Sequence, residues 1–149
     1  EADCSVQAAV PFYGVYDLLD EGGFMVGGFV DFLAGTVVGS SPVDSIDSWR
    51  RLSPIARVHA DAPPMMMLHG TLDTLVPIEQ GREFAAALDK VSDHAVVFAE
   101  LAGANHAFDI FSSPRAVRAS RKQTLKPATA CASASSVTML ARLMLNTSS

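Results

Sequence analysis

Residues 63–77 read PPMMMLHGTLDTLVP, and this stretch decides how the rest of the chain is organised. Pro63-Pro64 cannot donate ladder hydrogen bonds, so they stand before a strand rather than inside one. Met65–Leu68 follow as an unbroken apolar run, the pattern of a short strand covered on both faces, and His69-Gly70 closes it. A loop then leads to Pro77, whose fixed φ and missing N–H suit the first turn of a helix. Glu79 sits near the positive end of that helix. Ile78, Phe84, Ala85 and Leu88 recur at helical spacing, so the helix is predicted to run through Leu88.

Outward from this core the same alternation continues. Downstream, Ala95–Leu101 reads as a strand, Gly103-Ala104-Asn105 as a turn, and Pro114–Ala119 as the start of another helix. Upstream, Val6–Tyr13 (VQAAVPFY) is an apolar run closed by Gly14; Pro11 places the end of that strand nearby. Between Tyr16 and Arg57 the signals are short: a helix around Phe24–Leu33, punctuation at Gly39–Pro42, and a helical turn at Asp47–Leu52 before Ser53-Pro54. Strand, helix, strand, helix at this spacing predicts the α/β class, with about three parallel strands and flanking helices. No internal repeat is present.

Composition narrows the function classes. The chain has 149 residues, 49% hydrophobic and 18% charged, enough for one domain with a core and too apolar for a disordered chain. A net charge of −5 argues against nucleic acid as a partner. Charges interrupt every apolar stretch, so no membrane span is expected. Cys4 and Cys131 are too few for a disulfide framework and read as free thiols. All 16 acidic residues lie within 1–109, whereas residues 120–149 hold four basic residues, no acidic one, and fifteen Ser, Thr or Ala. That change predicts a boundary after Ala119, followed by a low-complexity basic tail, either disordered or forming a short helix over Val137–Leu145. The chain begins at Glu1 without a basic-then-apolar signal segment. It is therefore expected to be a piece of something longer, with the cytoplasm the favoured compartment.

Parallel α/β sheets place ligands beyond the carboxyl ends of their strands. Two loops leave such ends here with titratable side chains: His69–Pro77, which holds Asp73, and Gly103–Asp109, which holds His106. If the two strands are neighbours, Asp73 and His106 can meet above the sheet, as the supporting half of a Ser-His-Asp triad. Each has a plainer reading. Asp73 also suits a loop aspartate bonding its own turn, and His106 a surface or helix-start residue. His69 reads as a structural residue at the strand end, and His59 and His94 as solvated. Asp109 is given no chemistry. His69, Asp73 and His106 are metal-ligand types without a recognisable ligand spacing, so no metal site is expected. Met65–Met67 read as strand core. Phe12, Tyr13 and the Phe24–Phe32 stretch suit either a substrate pocket or helix packing.

The pair HG-x-x-D-x-x-VP (69–77) and G-x-x-H-x-F (103–108), together with Ala9–Asp17 (AVPFYGVYD) and Ser53-Pro54-Ile55, resembles the carboxyl-terminal half of α/β-hydrolase esterases and lipases. It is also similar to the catalytic domain of prolyl-oligopeptidase-type peptidases. The resemblance covers about residues 5–119, and it implies a partial α/β-hydrolase domain over 1–119 with Asp73 as triad acid and His106 as general base. It implies a small-molecule ester substrate for the full-length parent and no cofactor.

The family's nucleophile lies in a G-x-S-x-G elbow. No such pentapeptide occurs: Gly35-Thr36-Val37-Val38-Gly39 has the glycines without the serine, and no HGGG-type oxyanion segment is present. Both are expected upstream of Val6–Tyr13 in the full polypeptide, so this chain is expected to be inactive alone. Three readings remain open: a serine ester hydrolase fragment, a peptidase fragment that an upstream β-propeller would reveal, and a non-catalytic α/β module. An incomplete sheet also exposes a strand edge, which predicts self-association.

Overall fold

The computed structural model describes residues 5–110. The boundary expected after Ala119, the helices expected at Pro114–Ala119 and Val137–Leu145, and both cysteines lie outside the described residues.

Two strands, β1 (Met65–Gly70) and β2 (Val96–Leu101), pair in parallel from Met65↔Val96 to Gly70↔Leu101. Three α-helices are present among the described residues: α1 (Phe29–Leu33), α2 (Ile46–Leu52) and α3 (Ile78–Asp89). The crossover from β1 to β2 is α3, the helix that Pro77 introduces. Among the described residues β2 pairs only with β1. On the other side of β1 runs residues 6–13, meeting it in parallel at two isolated bridges, Ala9↔Met65 and Phe12↔Leu68. Ala9 N–H donates to the Pro64 carbonyl (2.9 Å), Tyr13 N–H to that of Leu68 (2.8 Å), and Leu68 N–H to that of Pro11 (3.0 Å). Three extended segments thus lie side by side. The first stays a pair of bridges because Pro11 has no N–H to extend the ladder.

One core lies between α3 and the sheet. Met67, Phe84 and Leu88 are buried with Tyr16, Ala62 and Ala85, and Met65, Val96 and Phe98 pack against them. The Tyr16 and Phe84 rings stack at 4.5 Å. Alternation along β1 places Met65, Met67 and His69 on this face. A glycine at 81 lets the helix come close: a Cβ there would stand 2.6 Å from the Phe98 ring and 3.0 Å from His69 Nδ1. Gln80, also buried, accepts from the Tyr16 and Asp17 amides (3.2 and 2.8 Å) through Oε1. It thereby ties α3 to the segment that follows residues 6–13.

A second core gathers Leu18, Leu33 and Trp49, with Phe29, Val30 and Val38 against them. Helix α1 starts at Phe29, later than the periodicity from Phe24 predicts. The Asp20 carboxylate takes the Phe24 and Met25 amides (2.8 and 3.0 Å) into a turn of their own, and Gly28 has φ +84°. Beyond Leu33 the coil widens into a π-turn over Ala34–Val38. No described helix is long and apolar enough to cross a membrane.

Candidate active site

Because β1 and β2 are parallel and in register at Gly70↔Leu101, the chain leaves both at the same rim. The two loops are stitched together there. Thr71 N–H donates to the Leu101 carbonyl (3.0 Å) and Leu72 N–H to that of Ala104 (2.9 Å). Gly103 N–H donates to Thr71 Oγ1 (2.9 Å). Gly70 is required by this closeness, since a Cβ at 70 would stand 2.7 Å from the Ala104 carbonyl carbon.

The two oxygens of Asp73 divide their work. Oδ1 accepts the amides of Leu75 (3.0 Å) and Val76 (2.9 Å), closing a turn of the Asx kind. Oδ2 lies 2.8 Å from His106 Nδ1. The plain reading of a loop aspartate and the pairing with His106 are therefore both satisfied by one side chain. The Asp73 side chain is fully buried, while 26% of the His106 side chain is exposed. A buried ionised carboxylate only accepts hydrogen bonds, so the proton between them sits on Nδ1 and leaves Nε2 able to accept another.

His106 is fixed from its backbone as well. Asn105 Oδ1 accepts both His106 N–H (2.8 Å) and Thr74 N–H (3.2 Å), which pins the histidine loop to the acid loop. The Tyr13 ring centroid lies 4.4 Å from that of His106 and 5.4 Å from Phe108. Tyr13 also donates its phenol to Asp109 Oδ1 at 2.6 Å. Tyr13 and Ala107, with Asp20, are the described non-glycine residues with positive φ (+38°, +56° and +53°), so two of these three strained positions belong to this site. The hydrogen bond to Asp109 raises the Tyr13 phenol above its ordinary range, with some desolvation, and holds the Asp109 carboxyl below its own.

Other residues singled out from the sequence fall as follows. His69 is fully buried, with Nε2 2.8 Å from the Val76 carbonyl. His59 and His94 are exposed. Phe29 packs into the second core and stacks on Phe32 at 5.8 Å, whereas Phe12 and Tyr13 stand with Phe108 beside His106. Among the described residues no cluster of His, Cys, Asp or Glu is arranged to hold a metal ion. Sequence reasoning passed over Asn105, Tyr13 as a neighbour of the imidazole, and Asp109. An Asn in a glycine-led turn carries a local signal of side-chain-to-backbone bonding; the Tyr13–Asp109 bond carries none.

Residues 1–88, more than half of the chain, match the BD-FAE family. The chain is 45% identical over 116 residues to the probable carboxylic ester hydrolase LipM of Mycobacterium tuberculosis, covering 78% of this chain and 27% of LipM. It is 44% identical over 114 residues to the esterase LipQ of the same organism, covering 76% and 27%. Among solved structures, it superposes on a thermophilic esterase of Thermogutta terrifontis with a TM-score of 0.54 at 26% identity, covering 81% of this chain and 44% of that one. The chain thus spans little more than a quarter of LipM and LipQ.

Proposed function

The chain belongs to the BD-FAE family, within the esterase-type α/β-hydrolases, and on that premise we propose that it supplies the acid and the general base of a serine ester hydrolase, Asp73 and His106. The observation that carries this reading is the 2.8 Å contact between His106 Nδ1 and a carboxylate with no exposure to water. With Nδ1 engaged, Nε2 accepts the proton of an attacking serine and later delivers it to the leaving alcohol. Asp73 holds the imidazole tautomer and stabilises the imidazolium that forms. The 149 residues contain no G-x-S-x-G pentapeptide, so the reading assigns the serine to another part of the whole protein and an ester to its substrate.

The test is hydrolysis of p-nitrophenyl acetate by the full-length protein that contains this chain. Asp73→Asn and His106→Ala are each expected to lower kcat by roughly 10³–10⁴-fold, with the fold unchanged by circular dichroism. Full activity after His106→Ala overturns the assignment. A serine-directed fluorophosphonate is expected to label the full-length protein and leave the isolated chain unlabelled; labelling of the isolated chain would place the nucleophile within these residues.

Self-association of the isolated chain belongs to the same reading. It is supported by the edge of β2, which has no strand partner among the described residues, and unpaired edges template pairing between chains. Size-exclusion elution is expected to shift to larger species as concentration rises; elution as a monomer throughout counts against it.

A further inference from the structure

His69 is a buried imidazole with no part in the proton transfer just described. Its side chain is completely enclosed, standing at the end of β1 on the face that α3 covers. One nitrogen, Nε2, lies 2.8 Å from the Val76 carbonyl and 3.3 Å from Asp73 Oδ2. The other, Nδ1, is buried without a hydrogen-bond partner, and the α3 backbone at Gly81 approaches it so closely that a Cβ would stand 3.0 Å away. A hydrogen on Nδ1 would be an unsatisfied buried donor, whereas a bare Nδ1 costs less, and a carbonyl can only accept. The ring proton therefore sits on Nε2.

That proton has a structural consequence. Val76 N–H donates to Asp73 Oδ1, and the Val76 carbonyl receives His69 Nε2–H. Val76 is thus held at both ends, and the positive end of the same N–H dipole lies beside Oδ2, the oxygen that His106 bonds. We propose that His69 is a positioning residue for Asp73, acting as the Nε2–H tautomer that fixes Val76 and orients Oδ2 toward His106. The role in turnover rests on the reading of Asp73 and His106 given above; the geometric claim does not.

Nitrogen-15 NMR of the imidazoles in the 149-residue chain tests the tautomer. His69 is expected to show a protonated Nε2 and a bare Nδ1; a protonated Nδ1 overturns the proposal. The His106 Nδ1–H resonance, deshielded by the Asp73 carboxylate, then reports the orientation of Oδ2. In His69→Gln, whose amide can present a donor near the Nε2 position, that resonance is expected to persist. In His69→Leu, which has no donor, it is expected to move upfield or vanish by exchange. An unchanged resonance in a folded His69→Leu chain overturns the proposal. Should His69→Leu fail to fold, the tautomer and the His69→Gln spectrum still decide. In the full-length protein, His69→Leu is expected to lower kcat roughly 10–100-fold with little change in KM, the range seen for groups that orient a reacting one, and His69→Gln to restore most of it. An active full-length Asp73→Asn protein would end the catalytic reading while leaving the NMR result standing.

Discussion

Tyr13 and Asp109 are separated by 96 positions and joined by a 2.6 Å hydrogen bond. It links the segment beside β1 to the end of the histidine loop, and the tyrosine ring centroid lies 4.4 Å from that of His106.

Alkaline titration should detect this link. Both tyrosines of the chain are expected to ionise above the ordinary value of 10.0: Tyr16, pushed by burial to about 12, and Tyr13, raised chiefly by its bond to Asp109. The bond favours the protonated phenol, so its contribution to stability is in place below the ordinary value and is lost as pH rises through the raised one. At the acid end Asp109 behaves oppositely, contributing above its ordinary 3.8 and losing that as pH falls through its lowered value. Ultraviolet titration of Asp109→Asn should return one phenol toward 10.0 and leave the other in place. Two unmoved phenols would show that the bond does not persist in solution.

Asn105→Ala removes the acceptor shared by His106 and Thr74. The site is partly solvated, so water replaces some of what is lost, and a destabilisation of about 1 kcal/mol is expected. Urea unfolding gives the figure. Turnover of the full-length protein should fall further than stability does, because the variant frees the His106 backbone from the acid loop; equal activity would assign Asn105 to the turn alone.

Gly70→Ala and Gly35→Ala should behave in opposite ways. A methyl at 70 meets the Ala104 backbone, which cannot yield as a side-chain tip would, and a loss of about 1–3 kcal/mol is expected. A methyl at 35 meets nothing within 4 Å, and the loss of unfolded-chain freedom should leave stability unchanged or raised by about 0.5 kcal/mol. Equal urea midpoints for the two variants would contradict the close approach of the loops.

Much of this site is legible from local pattern. Pro77, Glu79 and the spacing of Ile78, Phe84 and Leu88 locate α3 within a residue, and the HG-x-x-D and G-x-x-H signatures single out the two side chains that meet. Local signals end where partners are remote in sequence. Gln80 holds amides 63 and 64 residues away, yet in the sequence it is an ordinary polar helix residue. Asp109 looks unremarkable until Tyr13 is brought to it. The late start of α1 is instead a local effect: the Asp20 carboxylate holds the Phe24 and Met25 amides in a turn, and Gly28 takes a left-handed φ of +84° that a continuous helix cannot pass through.

The pairing Gly70↔Leu101 also says where this molecule can tolerate added length. Residues inserted between Asp89 and Val96 lengthen a surface connection at the far end of the sheet and leave the separation of Asp73 and His106 untouched. A single residue inserted within either strand displaces one loop by about 3.3 Å along its neighbour and turns alternate side chains to the wrong face. The alignment of two backbones acts as the ruler for the pair, and lineages related to this one should keep strand lengths constant while their distal turns drift.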